Sequence, residues 1–386
     1  MKAILFANTD WYLYNFRRTL ALSLRRAGYD VLLISPAGPY GAKLRALGLR
    51  WEPLPMQRRS LNVVRESAFL LYLVRLLRRE QPTVVHGFTI KCAVYGSLAA
   101  KMAGVAARIN AVAGMGYVFT SDQLKARLLR PVVRGLLRLA LGGEQARLIL
   151  QNSDDVKLFR KADLIDTAHI RLIRGSGVDC AKYAAASPRK LRDGSTHVLL
   201  ASRMLWDKGI GEYIAALRQL RAQGYAVHAI LAGTPDPGNP ATIPEETILG
   251  WVEEGLVTWL GHVDDMVALF SAVDIVVLPS YREGLPRSLV EAAACGLPLI
   301  TTDVPGCREV VADGVDGLLV PVRDSDAIAE AIRTLVDNPA LARRLGEAAR
   351  AKARTYFDER IVIERTLAVY TELCGHGETE RVRRYG

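Results

Sequence analysis

Short apolar blocks recur along the chain, each closed by Gly, Pro or a polar cluster. Ala3 to Ala7, Val31 to Ser35, Val84-Val85 ahead of His86, and Arg108 to Val112 read as strands, with a helix from about Asn15 to Ala27 between the first two. Such alternation predicts a parallel sheet covered by helices. A further strand, Arg147 to Gln151, runs into Asn152-Ser153-Asp154-Asp155, a cluster suited to capping a helix. Two glycines follow in Arg174 to Asp179, and Ala184 to Gly194 then shows no periodicity, which marks a linker. Alternation resumes with His197 to Ala201, Ala226 to Ala232, Val257 to Leu260, Ile275 to Leu278, Pro298 to Thr301 and Gly317 to Val320. A second α/β domain is therefore predicted. Amphipathic helical patterns run from Asp324 to about Cys374, ahead of a polar tail, Gly375 to Gly386, expected to be mobile.

A chain of 386 residues suits two or three domains. The expected division is 1–185, 190–355, and a terminal segment 356–386 whose helix returns to the first domain. Two doubly wound sheets facing each other would hold their ligand at the carboxyl ends of the strands, in the cleft between them.

Composition then removes several classes. No segment reaches the roughly 18 apolar residues needed to span a bilayer; Ala68 to Val74 is followed at once by Arg75. The N-terminus reads as a first strand, without a small-residue cleavage site, so a cytoplasmic location is expected. Five scattered cysteines without a C-x-x-C pair support neither disulfides nor zinc. The net charge of +11 is unevenly spread: residues 1–190 carry 31 Lys+Arg against 12 Asp+Glu, an excess of +19, which leaves −8 for the rest. A basic half suits nucleic acid, an anionic membrane or a phosphate-rich substrate, and charge alone does not choose.

The most specific segment is Pro279-Ser280-Tyr281-Arg282-Glu283-Gly284-Leu285-Pro286-Arg287-Ser288-Leu289-Val290-Glu291-Ala292. Glu283 falls on a strand-to-helix loop and Glu291 about two turns into the helix. Backbone N–H groups near Arg287 and Ser288 are unpaired at such a terminus and suit a diphosphate. A carboxylate deeper in the helix can accept from both hydroxyls of a ribose. A capping Glu and a solvated helix Glu is the plainer reading of the same residues. Upstream, Arg203 and Lys208 flank the turn between a strand end and a helix, where two cations can meet a diphosphate and neutralise a leaving group. Ordinary surface charge is the alternative there.

With these segments on the page, the chain resembles the retaining, GT-B-fold glycosyltransferases of family 4. The resemblance rests on Glu283-x7-Glu291, on Arg203 with Lys208-Gly209, on Leu260-Gly261-His262-Val263, and on Val304-Pro305-Gly306-Cys307-Arg308-Glu309-Val310-Val311 with Gly314 and Gly317-Leu318-Leu319-Val320. It implies an α/β fold of two Rossmann-like domains and a nucleotide sugar as substrate. Glu291 then holds the ribose, Glu283 contacts the donor sugar, and Arg203 and Lys208 bind the diphosphate. Gly284, Leu285, Pro286, Arg287 and Ser288 line the donor, and the backbone around Val263 meets the base. No cofactor is implied. Asp324-Ser325-Asp326 has the spacing of metal-dependent transferases, but capping of the helix it begins explains it better, so no essential metal is expected.

The first half departs from the family pattern at Trp11-Tyr12-Leu13-Tyr14-Asn15-Phe16 and Ala113-Gly114-Met115-Gly116. With His86-Gly87-Phe88-Thr89-Ile90-Lys91 and Tyr117-Val118-Phe119, it resembles bacterial transferases that add an N-acetylhexosamine to undecaprenyl-diphosphate-linked sugars, the bacillosaminyl-diphospho-undecaprenol N-acetylgalactosaminyltransferase type. That likeness implies a UDP-sugar donor and a lipid-linked saccharide acceptor. His86, Lys91, Asn15 and Tyr117 are the candidate acceptor contacts, although a His after a buried strand is as often a hydrogen-bonded core residue. In the segment Asp122 to Leu141, Arg127, Arg130, Arg134 and Arg138 fall within an arc of roughly 80° at 100° per residue, opposite a leucine-rich face. This basic stripe predicts peripheral docking on an anionic inner leaflet, beside the plainer reading of a core helix with a solvated face. A nucleotide-sugar epimerase or hydrolase on the same fold is the second enzyme reading. A nucleic-acid-binding protein is the remote one, and no nucleic acid is expected, because charge alone supports it.

Overall fold

The computed structural model describes residues 1–57, 60, 62–112, 134–184 and 194–375. Two compact units divide the chain: one runs from Met1 to Ser176 and resumes at Val362, and the other is Gly177–Ile361.

The first unit holds a seven-stranded parallel sheet. Its strands are β1 (Lys2–Phe6), β2 (Asp30–Pro36), β3 (Arg50–Leu54), β4 (Val84–Phe88), β5 (Ala107–Val112), β6 (Ala146–Leu150) and β7 (Ile170–Leu172), in spatial order 3-2-1-4-5-6-7. Both faces are covered, as in parallel sheets generally. Along β1, Ala3, Leu5 and Ala7 enter one apolar cluster, while Ile4 and Phe6 enter the other. A side-chain period of two explains why the strand reads as an unbroken apolar run. The second unit repeats the plan with β8 (Thr196–Ala201), β9 (Val227–Ala232), β10 (Val257–Trp259), β11 (Ile275–Leu278), β12 (Leu299–Thr302) and β13 (Leu318–Val320), in order 10-9-8-11-12-13. Val198 and Leu200 point to one core and Leu199 and Ala201 to the other.

Ten expected strands lie within a residue or two of their predicted places, β4 runs three residues past its expected end, and two strands were not foreseen. Both of these, β3 and β7, are outermost in their sheet and pair on one side only. β3 reads Arg-Trp-Glu-Pro-Leu, polar and broken by Pro53, a pattern an edge strand tolerates and a central one does not. The first helical stretch also starts earlier than Asn15: Thr9 accepts from the Tyr12 amide, the helix opens at Asp10, and Leu13–Arg17 forms one widened π turn before Arg18–Arg26 continues.

The domain limits differ from the expected 185 and 355 for a local reason. The Val178 amide donates to the Phe357 carbonyl and the Glu359 amide to the Val178 carbonyl, both at 2.9 Å, so the chain around 178 belongs with the chain around 358. Gly177 permits this approach: at φ +74°, a Cβ there would lie 2.4 Å from the Glu359 Cα. The last helix, Glu359–Cys374, then adds Val362, Val369, Tyr370 and Leu373 to the first unit's core. Glu372 clamps it there between Arg147 (2.7 Å) and Arg171 (2.5 Å). No helix among the described residues is long and apolar enough to cross a membrane.

Candidate active site

In each sheet the strand order reverses once, between β1 and β4 in the first unit and between β8 and β11 in the second. The segments leaving neighbouring strands there turn to opposite faces and open a crevice at the carboxyl ends, where doubly wound sheets take ligands. The sequence motifs fall at these two places.

In the second unit, β8 leads through Arg203 to a tight turn, Trp206–Lys208, and then to the helix Ile210–Ala222. Gly209 joins them at φ +71°, and a Cβ on it would lie 2.1 Å from the Pro279 carbonyl oxygen. Glycine is what lets this turn lie against the loop after β11. The Tyr281 amide donates to the Asp207 carbonyl at 2.9 Å and fastens the two loops. Across that contact the Lys208 ammonium meets Glu283 Oε1 at 2.5 Å, and the Ser280 hydroxyl donates to the same oxygen at 2.7 Å. The two charged side chains are only 16% and 12% exposed, so the pair sits largely out of water, where a lost partner is costly.

Glu291 is held separately. It lies on the helix Arg287–Cys295, buried, and accepts from Arg287 Nε at 2.7 Å. The Tyr183 hydroxyl also bonds it; burial first, then the nearby carboxylate, push the Tyr183 pKa well up, so the hydroxyl stays a donor. Arg203 is exposed and tied to Asp236 at 2.6 Å. Gly284 and Leu285 continue the loop to Pro286, which gives the helix no side-chain cap, and Ser288 stands in its first turn. Gly306 braces this loop from below: a Cβ on it would come within 2.6 Å of the Glu283 and Gly284 carbonyl oxygens. Val263 packs partly buried against one of the unit's cores, two residues beyond Gly261, whose carbonyl accepts from the Gly233 amide at 2.6 Å.

Sequence reasoning missed Tyr183 and Asp236, since neither lies near its partner in the chain and neither carries a motif. It read Asp324 correctly, for its carboxylate caps the helix Ser325–Asp337 by accepting from Ala327 N. Asp326 binds Gln219 at 2.6 Å. Among the described residues, no group of three or more His, Cys, Asp or Glu could hold a metal ion.

In the first unit the expected acceptor contacts are placed differently from one another. His86 is 1% exposed in the middle of β4, with Nδ1 2.9 Å from the Tyr370 hydroxyl. Its pKa falls well below the ordinary value through burial and then through the nearby Arg17 charge, which favours the neutral imidazole. Lys91 is engaged with Glu66 and with the Gln57 carbonyl at 2.7 Å. The Asn15 amide donates to the Trp11 carbonyl at 3.0 Å. Tyr117, Arg127 and Arg130 lie outside the described residues. Arg134 donates to the Ala162 carbonyl, and Arg138 pairs with Asp163 at 2.5 Å, so these two members of the expected membrane stripe turn onto their own unit.

Comparison with known proteins agrees with this plan. The glycosyl transferases group 1 profile matches residues 195–338, and the glycosyl transferase 4-like profile matches residues 2–153. The N,N′-diacetylbacillosaminyl-diphospho-undecaprenol α-1,3-N-acetylgalactosaminyltransferase of Campylobacter jejuni is 30% identical, over 93% of this chain and 95% of its own. The UDP-Gal:α-D-GlcNAc-diphosphoundecaprenol α-1,3-galactosyltransferase of Escherichia coli is 26% identical over 75% of each chain. Anabaena HepE, solved with UDP and glucose, shares the fold with a TM-score of 0.78 at 21% identity, over 96% of this chain and 99% of that one. With two parallel Rossmann-like sheets, both halves matched in order, and a relative at 30% identity along nearly its full length, the chain belongs to the GT-B, family 4 glycosyltransferases.

Proposed function

We propose that the protein transfers a hexosamine, with retention, from a UDP-sugar to an undecaprenyl-diphosphate-linked saccharide. The observation that carries this reading is the Lys208–Glu283 pair, with Ser280, in the β8/β11 crevice. A lysine held by a carboxylate at such a site is a phosphate cation in waiting: an incoming diphosphate replaces the carboxylate as its partner and frees Glu283 for the sugar hydroxyls. Arg203 exchanges Asp236 for phosphate in the same way. Glu291 takes the ribose hydroxyls, the amides at Arg287 and Ser288 face the diphosphate, and the backbone at Val263 meets the uracil.

The bond from the sugar C1 to the diphosphate oxygen breaks as the acceptor hydroxyl attacks C1 from the same face. The hydroxyl proton passes to the departing phosphate oxygen, so no protein nucleophile is required. Arg203 and Lys208 stabilise the charge that develops on the leaving group, without an essential metal. The two bacterial relatives, both named for transfer to undecaprenyl-diphosphate-linked sugars, support the acceptor class. Peripheral attachment to anionic lipid on the inner face of the cell membrane belongs to the same reading, supported by the +19 excess of residues 1–190.

The test is incubation with labelled UDP-N-acetylhexosamine and a diphosphopolyprenyl sugar. Label moving into the lipid phase with the anomeric configuration kept, and unaffected by EDTA, is expected. Label released to water or epimerised without transfer overturns the reading, and activity lost to EDTA and restored by Mn²⁺ or Mg²⁺ overturns its metal-free part.

A further inference from the structure

The crevice at β1 and β4 carries a group that no motif announced. Arg17 ends the widened turn Leu13–Arg17 and is 6% exposed. Its guanidinium lies over the Phe88 ring at 4.4 Å and the Tyr12 ring at 5.4 Å, and Nη2 donates to the Tyr12 hydroxyl at 2.9 Å. No carboxylate answers it among the described residues. The nearest acid in sequence, Asp10, is consumed by three backbone donors, the Trp11, Tyr40 and Gly41 amides at 2.7–2.9 Å. A buried cation without an anion is costly, and structures keep one where a ligand completes it.

A second polar group beside the same ring also carries an unpartnered nitrogen. Arg17 Nε and His86 Nε2 are both buried without a hydrogen-bond partner among the described residues. The His86 ring stacks on Phe88 at 4.1 Å, on the residue that also carries Arg17. Most buried polar side-chain atoms find partners, so two orphans beside one aromatic ring call for a common one. The guanidinium donates. If Tyr370 donates to His86 Nδ1, the imidazole donates from Nε2 as well. One phosphate satisfies both.

We propose that Arg17 and His86 form a phosphate site in the first unit, filled during turnover by the diphosphate of the lipid-linked acceptor. Its assignment to the acceptor rests on the function proposed above. Arg17 supplies the charge; His86 positions by a neutral N–H.

Binding is read on the full chain by ¹⁵N-histidine NMR, with the His86 Nε2 resonance assigned through its contacts to the Phe88 and Tyr370 rings. Inorganic pyrophosphate and a short-chain diphosphopolyprenyl N-acetylhexosamine should each shift that resonance saturably, whereas UDP should not. Arg17→Gln should weaken both by about tenfold or more and raise the KM for acceptor with UDP affinity within about twofold, while Arg17→Lys should recover part of the loss. A His86 signal unmoved by pyrophosphate in the parent protein overturns the site, whether or not the variants fold. Equal affinity in Arg17→Gln removes Arg17 from it, and a shift caused by UDP gives the site to the donor and overturns the acceptor assignment. Pyrophosphate binding that depends on Arg17, with no sugar transferred to any diphosphopolyprenyl substrate, leaves the site standing and removes the proposed function instead.

Discussion

Gly306→Ala isolates the brace beneath the Glu283 loop. The added Cβ would lie 2.6 Å from both the Glu283 and the Gly284 carbonyl oxygens, and ordinary contact begins at 3.4 Å, so the loop or the helix Pro305–Val310 must retreat by about 0.8 Å. Both obstacles are backbone, and no rotamer change relieves them. Overpacking of this kind costs about 1–3 kcal/mol, which in a unit of this size lowers Tm by about 2–4 °C per kcal/mol. The retreat also moves Glu283, whose carboxylate is fixed by bonds of 2.5 and 2.7 Å. A misplacement near 1 Å costs about a hundredfold in rate where reacting groups must be aligned. Calorimetric melting and kcat with saturating UDP-sugar measure the two effects separately. Gly314→Ala is the control: that glycine, at φ +67°, has open space around it, so alanine there costs about 1–2 kcal/mol of backbone strain and leaves turnover alone. A Gly306→Ala protein that melts lower but turns over within about twofold of the parent would refute the claim that this contact sets the Glu283 loop.

Glu291→Ala should weaken UDP binding about ten- to a hundredfold, and Tyr183→Phe by a smaller factor through the same carboxylate; titration calorimetry showing parental affinity for Glu291→Ala removes the ribose assignment. Lys208→Met and Glu283→Gln should be non-additive in urea unfolding, with a coupling of about 0.5–3 kcal/mol, and strict additivity denies the pair any shared energy. His86 is neutral when folded and carries an ordinary pKa when unfolded, so below about pH 6.5 only the unfolded chain takes up its proton. Stability should therefore fall as pH drops from 6.5 toward 5, by up to about 1.4 kcal/mol per pH unit from this group, and be unaffected by it above 6.5. His86→Gln should flatten that part of the profile; an unchanged slope means that His86 is charged in the folded protein.

The legible and the hidden parts of the molecule divide along physical lines. Central strands such as Ile275–Leu278 bury both faces, and only an unbroken apolar run can do that, so they stand out in the sequence. The edge strand Arg50–Leu54 is under no such demand and reads as a loop. Glu283, Glu291, Arg203 and Lys208 were legible because each sits at a fixed offset from a central strand end. The amphipathic stripe was legible as a pattern but not in its use, since any solvated helix face can carry it; Arg138 and Asp163 are partners because of how the helix over 134–141 lies against the turn at 162–163.

The sequence alone therefore determined the α/β class, the two successive domains, and where Glu283, Glu291, Arg203 and Lys208 stand after their strands, because those follow from local periodicity and from motif spacing along one strand–loop–helix unit. Tertiary structure decided who meets whom. The order 3-2-1-4-5-6-7 brings Arg17, after the first strand, beside His86, in the fourth, and the final helix returns Tyr370 to that imidazole from 284 positions away. Tyr183 reaches Glu291, and Asp236 reaches Arg203, by the same kind of long-range closure. Such partnerships leave no periodic trace, for burial and charge balance are properties of the packed chain and not of any segment of it.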